Sequence, residues 1–190
     1  MAFKIVVIGT SLGGLSALKV LLGGLPESFP LPVAIVQHRV SDSTGLLRVA
    51  LQTHCALPVG EPEDKELLAP ARVYLAPPDY HLLVERGRFA LSTEGRVCHA
   101  RPSIDVLFET AAVAYGAGSV GVILTGQGRD GAGGAVRIKA AGGLVVVQDP
   151  ETAESRSMPD AALATCAPDH VLSLPQIAPF LARLCPSAPG

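Results

Sequence analysis

Four short uncharged runs rich in β-branched residues, at positions 5–8, 33–36, 120–124 and 144–148, set the terms on which this chain can fold. A strand with one face in water alternates polar and apolar residues, whereas a strand that is apolar at successive positions buries both faces. That pattern belongs to a parallel sheet covered by helices on both sides. Helix-length segments punctuated by Gly and Pro separate the runs, so the class is α/β: a three-layer α/β/α fold on a mostly parallel, doubly wound, Rossmann-like sheet.

The intervening segments fill in this frame. Helices are expected over 15–22, stopped by Gly23-Gly24 and Pro26, and over 43–52, with Ser41 or Asp42 as the cap. A less regular region opens at Pro58-Val59. Three short strands follow at 72–76, 81–85 and 88–92, the last two joined by a tight Arg86-Gly87 turn, and they read as an antiparallel hairpin insertion around 72–92. Arg101-Pro102-Ser103-Ile104-Asp105 looks like a helix start, with Ser103 as cap and Asp105 in the first turn of a helix running to Tyr115. Helices over 132–140, 159–165 and 175–184 and a strand over 170–173 complete the chain.

With 190 residues the expectation is a single domain spanning 1–190. A net charge of -2 with only 17% charged residues provides no basic field to hold nucleic acid. Cys55, Cys98, Cys166 and Cys185 form no CxxC pair and read as free thiols in a reducing cytoplasm. The uncharged stretches 5–18 and 110–128 are broken by glycines, so they read as strand, turn and helix rather than as a signal peptide or a membrane span. A cytoplasmic protein, not inserted in a membrane, is expected.

Three loops at the ends of strands carry chemistry. Gly9-Thr10-Ser11-Leu12-Gly13-Gly14 fits GxSxG, in which small neighbours let the chain turn sharply from strand to helix and expose the serine. A serine before a helix is more commonly its cap, but the free N–H groups of that helix also point where an oxyanion would develop. Gln37-His38 closes the second strand, on the edge where α/β sheets bind ligands, although a lone histidine is usually a surface group. Asp130 lies in Gly126-Gln127-Gly128-Arg129-Asp130-Gly131 after the third run. Serine, histidine and aspartate together are the components of a nucleophilic hydrolase. His54, His81, His99 and His170 have no metal-ligand spacing, so no metal site is expected, and His81 and His99 are candidates to border a pocket.

The last loop is also a formal GxGxxG between strand and helix, with Asp149 near the next strand's end, so a dinucleotide site using Gly126 to Gly131 is the competing reading. Against it, this fingerprint normally occupies the first βαβ unit, and an aspartate inside the loop would repel a pyrophosphate. The order of the α/β-hydrolases would require Ser11, Asp130 and His170, with the nucleophile much later in the sheet.

Ile8 to Gly14, Ile35-Val36-Gln37-His38, Tyr74-Leu75-Ala76-Pro77, Arg101 to Phe108 and Gly121 to Ala132 together resemble, in order and over nearly the whole chain, the catalytic domain of the chemotaxis protein-glutamate methylesterases, the CheB family. The resemblance implies hydrolysis of glutamyl methyl esters on the cytoplasmic signalling helices of methyl-accepting chemoreceptors, often with deamidation of receptor glutamines, and no cofactor. It assigns Ser11 as nucleophile, His38 as general base and Asp130 as the carboxylate that orients the histidine. Leu12 stands where the family commonly has threonine and Gln127 where it commonly has methionine. Both are candidates for oxyanion or substrate contacts, Leu12 through its N–H and Gln127 through its side-chain amide. Arg101, in its RPSxD setting, is a candidate substrate contact, and Arg39 and Arg129 could add positive charge for an acidic receptor helix. Members usually carry an N-terminal phosphoreceiver domain, which the short segment before the first strand does not accommodate. The expectation is then a catalytic domain acting constitutively, controlled by a separate regulatory or methyltransferase protein, or cut from a longer chain. A binding-only scaffold that keeps the fold is the non-enzymatic alternative.

Overall fold

The apolar runs become neighbouring strands of one sheet in the computed structural model, which describes residues 3–38 and 45–185. In chain order, β1 (Ile5–Thr10), α1 (Gly14–Gly23), β2 (Val33–Gln37), α2 (Leu46–Gln52), β3 (Val59–Gly60) and β4 (Val73–Leu75) are followed by a hairpin of β5 (His81–Glu85) and β6 (Arg88–Ser92). Then come α3 (Ile104–Tyr115), β7 (Ser119–Ile123), α4 (Ala132–Ala140), β8 (Leu144–Gln148), α5 (Ser157–Thr165), β9 (His170–Leu172) and α6 (Leu174–Leu184). The main sheet has seven strands in the order β3-β4-β2-β1-β7-β8-β9, every neighbouring pair parallel. From β1 the chain moves out to β2 on one side and returns to β7 on the other. Loops leaving the carboxyl ends of β1, β2 and β7 therefore diverge around one crevice, where doubly wound folds bind ligands.

Alternation along β1 divides the core. Val6 and Ile8 pack with Leu18, Leu21 and Leu22 of α1 and with Ile177 and Leu181 of α6, while Ile5 and Val7 pack with Ile104, Leu107 and Phe108 of α3 and Ile138 of α4. These side chains are almost completely withdrawn from water, each worth roughly 1.5–3 kcal/mol of burial. The hairpin adds Leu82, Val84 and Phe89 to the second layer.

Three local expectations need correction. Residues 73–75 do not belong to the antiparallel insertion: β4 pairs in parallel with β2, Val33 opposite Val73, and only β5 and β6 form the hairpin, Glu85 opposite Arg88 with Gly87 at φ 80°. The irregular region after Pro58 contains the edge strand β3, whose two residues are too few to show a period. Helix α2 starts at Leu46 after Gly45 at φ 60°; the expected caps Ser41 and Asp42, the helix start at Ser43 and the side chain of Arg39 lie outside the described residues. Among the described residues no helix is long and apolar enough to cross a membrane.

Candidate active site

Strand register brings the first two functional side chains together. Thr10 lies opposite Gln37, so Ser11 and His38 leave adjacent strands side by side, and the His38 N–H donates to Thr10 O at 3.0 Å. The Gln37 side-chain amide donates both to Ser11 O (2.8 Å) and to His38 O (2.9 Å), fixing one loop against the other. From the opposite side the Ser11 N–H donates to Thr125 O at 3.1 Å, and the backbone of Gly126 lies so close that a Cβ there would stand 2.9 Å from Ser11 Cβ. Only glycine fits that approach. Gly13, at φ 78°, then turns the chain into α1. Among the described residues the Leu12 and Gly13 N–H groups have no acceptor, which leaves them available to an oxyanion beside Ser11.

His38 is joined to Asp130 through Nε2 and Oδ2 at 2.8 Å. Since a carboxylate only accepts, Nε2 carries the proton and Nδ1 keeps the lone pair that can act as a base. This is the Ser-His-Asp logic with the two ring nitrogens exchanged relative to the chymotrypsin arrangement. Asp130 is 3% exposed and fully engaged: Oδ1 accepts from Ser103 Oγ (2.8 Å) and the Asp105 N–H (2.9 Å), Oδ2 from the Ile104 N–H (2.8 Å) as well as His38. Burial alone would raise its pKa, but the His38, Asp105, Ile104 and Ser103 bonds outweigh it and hold the carboxyl below its usual value. Ser103 stands at the N-cap of α3, as its position suggests, but its side chain does not cap the helix. Its hydroxyl is spent on Asp130, and the Asp130 carboxylate itself takes the first N–H groups of the helix.

The exchange is reciprocal. Asp105, in the first turn of α3, accepts from the Gly131 N–H (2.9 Å) and the Gly134 N–H (2.7 Å) at the start of α4. This disposes of the dinucleotide reading, because the N–H groups that would cradle a pyrophosphate already hold a carboxylate, and a second one, Asp130, sits in the same loop. The Cys98 thiol donates to Asp105 Oδ2 at 3.4 Å, and burial, with Asp105 adding to it, pushes its pKa up to about 11. It is a protonated donor rather than a nucleophile. Cys98, Asp105 and Asp130 place possible metal-ligand atoms within 4.8 Å of one another, but the Cys98 thiol keeps its proton as a donor and both carboxylates already accept hydrogen bonds.

Two cavities meet at His38 and Gln127. One, of about 510 Å³, is lined by Ser11, Leu12 and Glu154; the other, of about 820 Å³, by Arg101, Arg129 and His99. Leu12 is 53% exposed, and among the described residues Ser11 Oγ makes no hydrogen bond to His38, a spacing common before substrate tightens such a site. The Arg101 guanidinium reaches the larger cavity but also donates through Nη1 to Thr93 O (2.7 Å) and Glu94 O (3.1 Å), so it tethers that loop. His99 borders this cavity as expected. His81 does not: it is buried, with Nδ1 accepting from the Ser103 N–H at 3.2 Å and Nε2–H donating to Gly95 O at 3.0 Å.

The sequence reading missed the supporting residues: Gln37, Thr125 and Asp105 as clamps, and Glu154 altogether. Thr125 was visible only as part of its block, yet its hydroxyl donates to Leu12 O (2.9 Å) and accepts from the Ser155 N–H (2.9 Å), joining three loops. Nothing in local sequence reports such long-range partners.

The arrangement has clear counterparts. The family model described as CheB methylesterase matches residues 6–181. A protein of Leptospira interrogans is 47% identical over 185 residues, 97% of this chain and 96% of the relative. The Thermotoga maritima protein-glutamate methylesterase/protein-glutamine glutaminase is 38% identical over 173 residues, 89% of this chain and 50% of that protein. The crystal structure of the T. maritima CheB methylesterase catalytic domain superposes with a TM-score of 0.92 at 37% identity, covering 97% of this chain and all of that one. A match that runs from β1 into α6, carried by both sequence and fold, places this chain in the CheB methylesterase family.

Proposed function

We propose that this protein is a serine hydrolase that demethylates glutamyl methyl esters on chemoreceptor signalling helices and deamidates receptor glutamines. The observation that carries the reading is the 2.8 Å His38 Nε2–Asp130 Oδ2 bond beside Ser11 at adjoining strand ends. Relatives named protein-glutamate methylesterase/protein-glutamine glutaminase support the substrate class.

His38 Nδ1 takes the Ser11 proton as Oγ attacks the ester carbonyl, and Asp130 stabilises the resulting imidazolium through Nε2–H. The oxyanion is held by the Leu12 N–H in the turn that leads into α1, where the exposed Leu12 side chain does not interfere, and by the Gln127 side-chain amide. The imidazolium then gives its proton to the departing methanol, or to ammonia from a glutamine. Water, deprotonated by His38 in turn, hydrolyses the glutamyl ester on Ser11 and leaves a glutamate carboxylate. Arg101 and Arg129, at the larger cavity, face the acidic surface of a methylated helix.

The test is methanol release from methylated receptor membranes. Wild type should release methanol, and Ser11→Ala should lower the rate by more than about 10³-fold. A wild-type protein that releases none from several receptors would sink the reading in favour of a binding-only scaffold, and an active Ser11→Ala would remove the nucleophile.

A further inference from the structure

Glu154 brings a carboxylate to the cavity that contains Ser11, and no lysine or arginine accompanies it among the described lining residues. Its position is set by its neighbour Ser155, whose N–H donates to Thr125 Oγ1 (2.9 Å), whose O accepts from the Gly126 N–H (3.0 Å) and whose hydroxyl donates to Gly126 O (3.0 Å). The loop after β8 is thus fastened to the loops that position Ser11 and Asp130. The Glu154 side chain lies against the turn just past the serine: a Cβ on Gly13 would stand 2.7 Å from both Cβ and Oε2 of Glu154. Among the described residues its carboxylate has neither a hydrogen bond nor an ion pair, so its charge is felt by whatever enters the cavity.

We propose that Glu154 is a specificity-determining residue that excludes carboxylates from the Ser11 cavity, admitting neutral glutamyl esters and amides and ejecting the glutamate formed. The inference rests on the hydrolase reading above. Charge counting along the reaction explains why it does not equally oppose catalysis. Ester, amide and acyl-enzyme are neutral, and the tetrahedral state pairs an oxyanion with the His38 imidazolium, so it carries no net charge. Only the product brings an unbalanced negative charge beside Glu154. The penalty falls on product binding, and with it on product inhibition and reversal.

The experiment is an NMR titration that needs no turnover. N-acetylglutamine α-amide (neutral side chain) and N-acetylglutamate α-amide (carboxylate) are titrated into wild type, Glu154→Gln and Glu154→Lys. Wild type should bind the neutral compound more tightly. The ratio of carboxylate to neutral Kd should fall about three- to tenfold in Glu154→Gln, as expected for one exposed charge a few ångströms away, and further in Glu154→Lys. The gap between wild type and Glu154→Gln should narrow in 0.5 M salt, about where the screening length drops below 5 Å. An unchanged ratio, a change indifferent to salt, or failure of wild type to bind the neutral compound overturns the proposal. Methanol release is measured separately on the same wild type, so a protein that discriminates in the titration but hydrolyses no receptor ester refutes the hydrolase reading and not the charge filter.

Discussion

Asp130 concentrates the chemistry of the site in one side chain, and its four hydrogen bonds determine what a substitution there would do. An asparagine offers one oxygen and one NH2 where the carboxylate offers two oxygens, so in Asp130→Asn the amide NH2 must face either the Ser103 hydroxyl and Asp105 N–H or the Ile104 N–H and His38. In the second orientation Nε2 can no longer donate, and the proton is forced onto Nδ1, the nitrogen needed as base. Activity is expected to fall by roughly 10⁴-fold, as for the corresponding change in trypsin-like enzymes, with a stability loss of about 3 kcal/mol by urea denaturation. The pH dependence has a definite sign. Because the folded pKa lies below the unfolded value near 3.9, Asp130 stabilises the fold above that value, and this contribution disappears as pH falls through the folded pKa. Wild type should therefore lose stability below about pH 4 more steeply than Asp130→Asn. Equal slopes would mean that Asp130 is not the carboxylate whose ionisation the fold depends on.

Helices α3 and α4 are joined by an exchange of carboxylates: Asp130, just before α4, serves the start of α3, and Asp105, in α3, serves the start of α4. Removing Asp105 should therefore loosen the loop that carries Asp130 as well as the helix it caps. Asp105→Ala is expected to cost about 1–2 kcal/mol and to lower Tm by about 2–8 °C. Asp105→Asn, which can keep one oxygen for both N–H groups, should cost less, and an Asn variant as damaged as Ala would refute the acceptor role. Burial, reinforced by Asp130, raises the Asp105 pKa, the reverse of its partner's shift. Its ionised form is thus penalised on folding, and Asp105→Asn should gain on wild type as pH rises above about 4. This linkage shows where sequence reading stops. Both helices and the presence of Asp105 in the first turn of α3 were legible, because periodicity and turn chemistry are local. That the hydroxyl of Ser103 turns to a residue 27 positions away, and that each helix borrows its cap from the other, depends on packing that no local signal encodes.

The central strands β1, β2, β7 and β8 could be read within a residue or two, because burial on both faces imposes the same demand at every position, and the placing of Ser11, His38 and Asp130 at their ends followed from that. The edge was harder: β3 has two residues and β4 three, and whether β4 pairs with β2 or folds into the hairpin is decided by tertiary contacts. One sheet serving two apolar layers also makes a claim about cooperativity. Leu18 of α1 and Phe108 of α3, both 0% exposed, lie on opposite faces, and each layer rests on alternate side chains of the same β1. If this is one domain, neither layer can unfold while the other keeps its sheet. Leu18→Ala should then cost about 2–5 kcal/mol and Phe108→Ala about 3–5 kcal/mol, and the double variant about their sum, since the side chains share no partner. Calorimetry of each variant should show one transition moved to lower temperature, with fluorescence and far-UV circular dichroism melting together. A second transition, shifted by Leu18→Ala but untouched by Phe108→Ala, would show instead that the two helical layers unfold independently of the sheet that joins them.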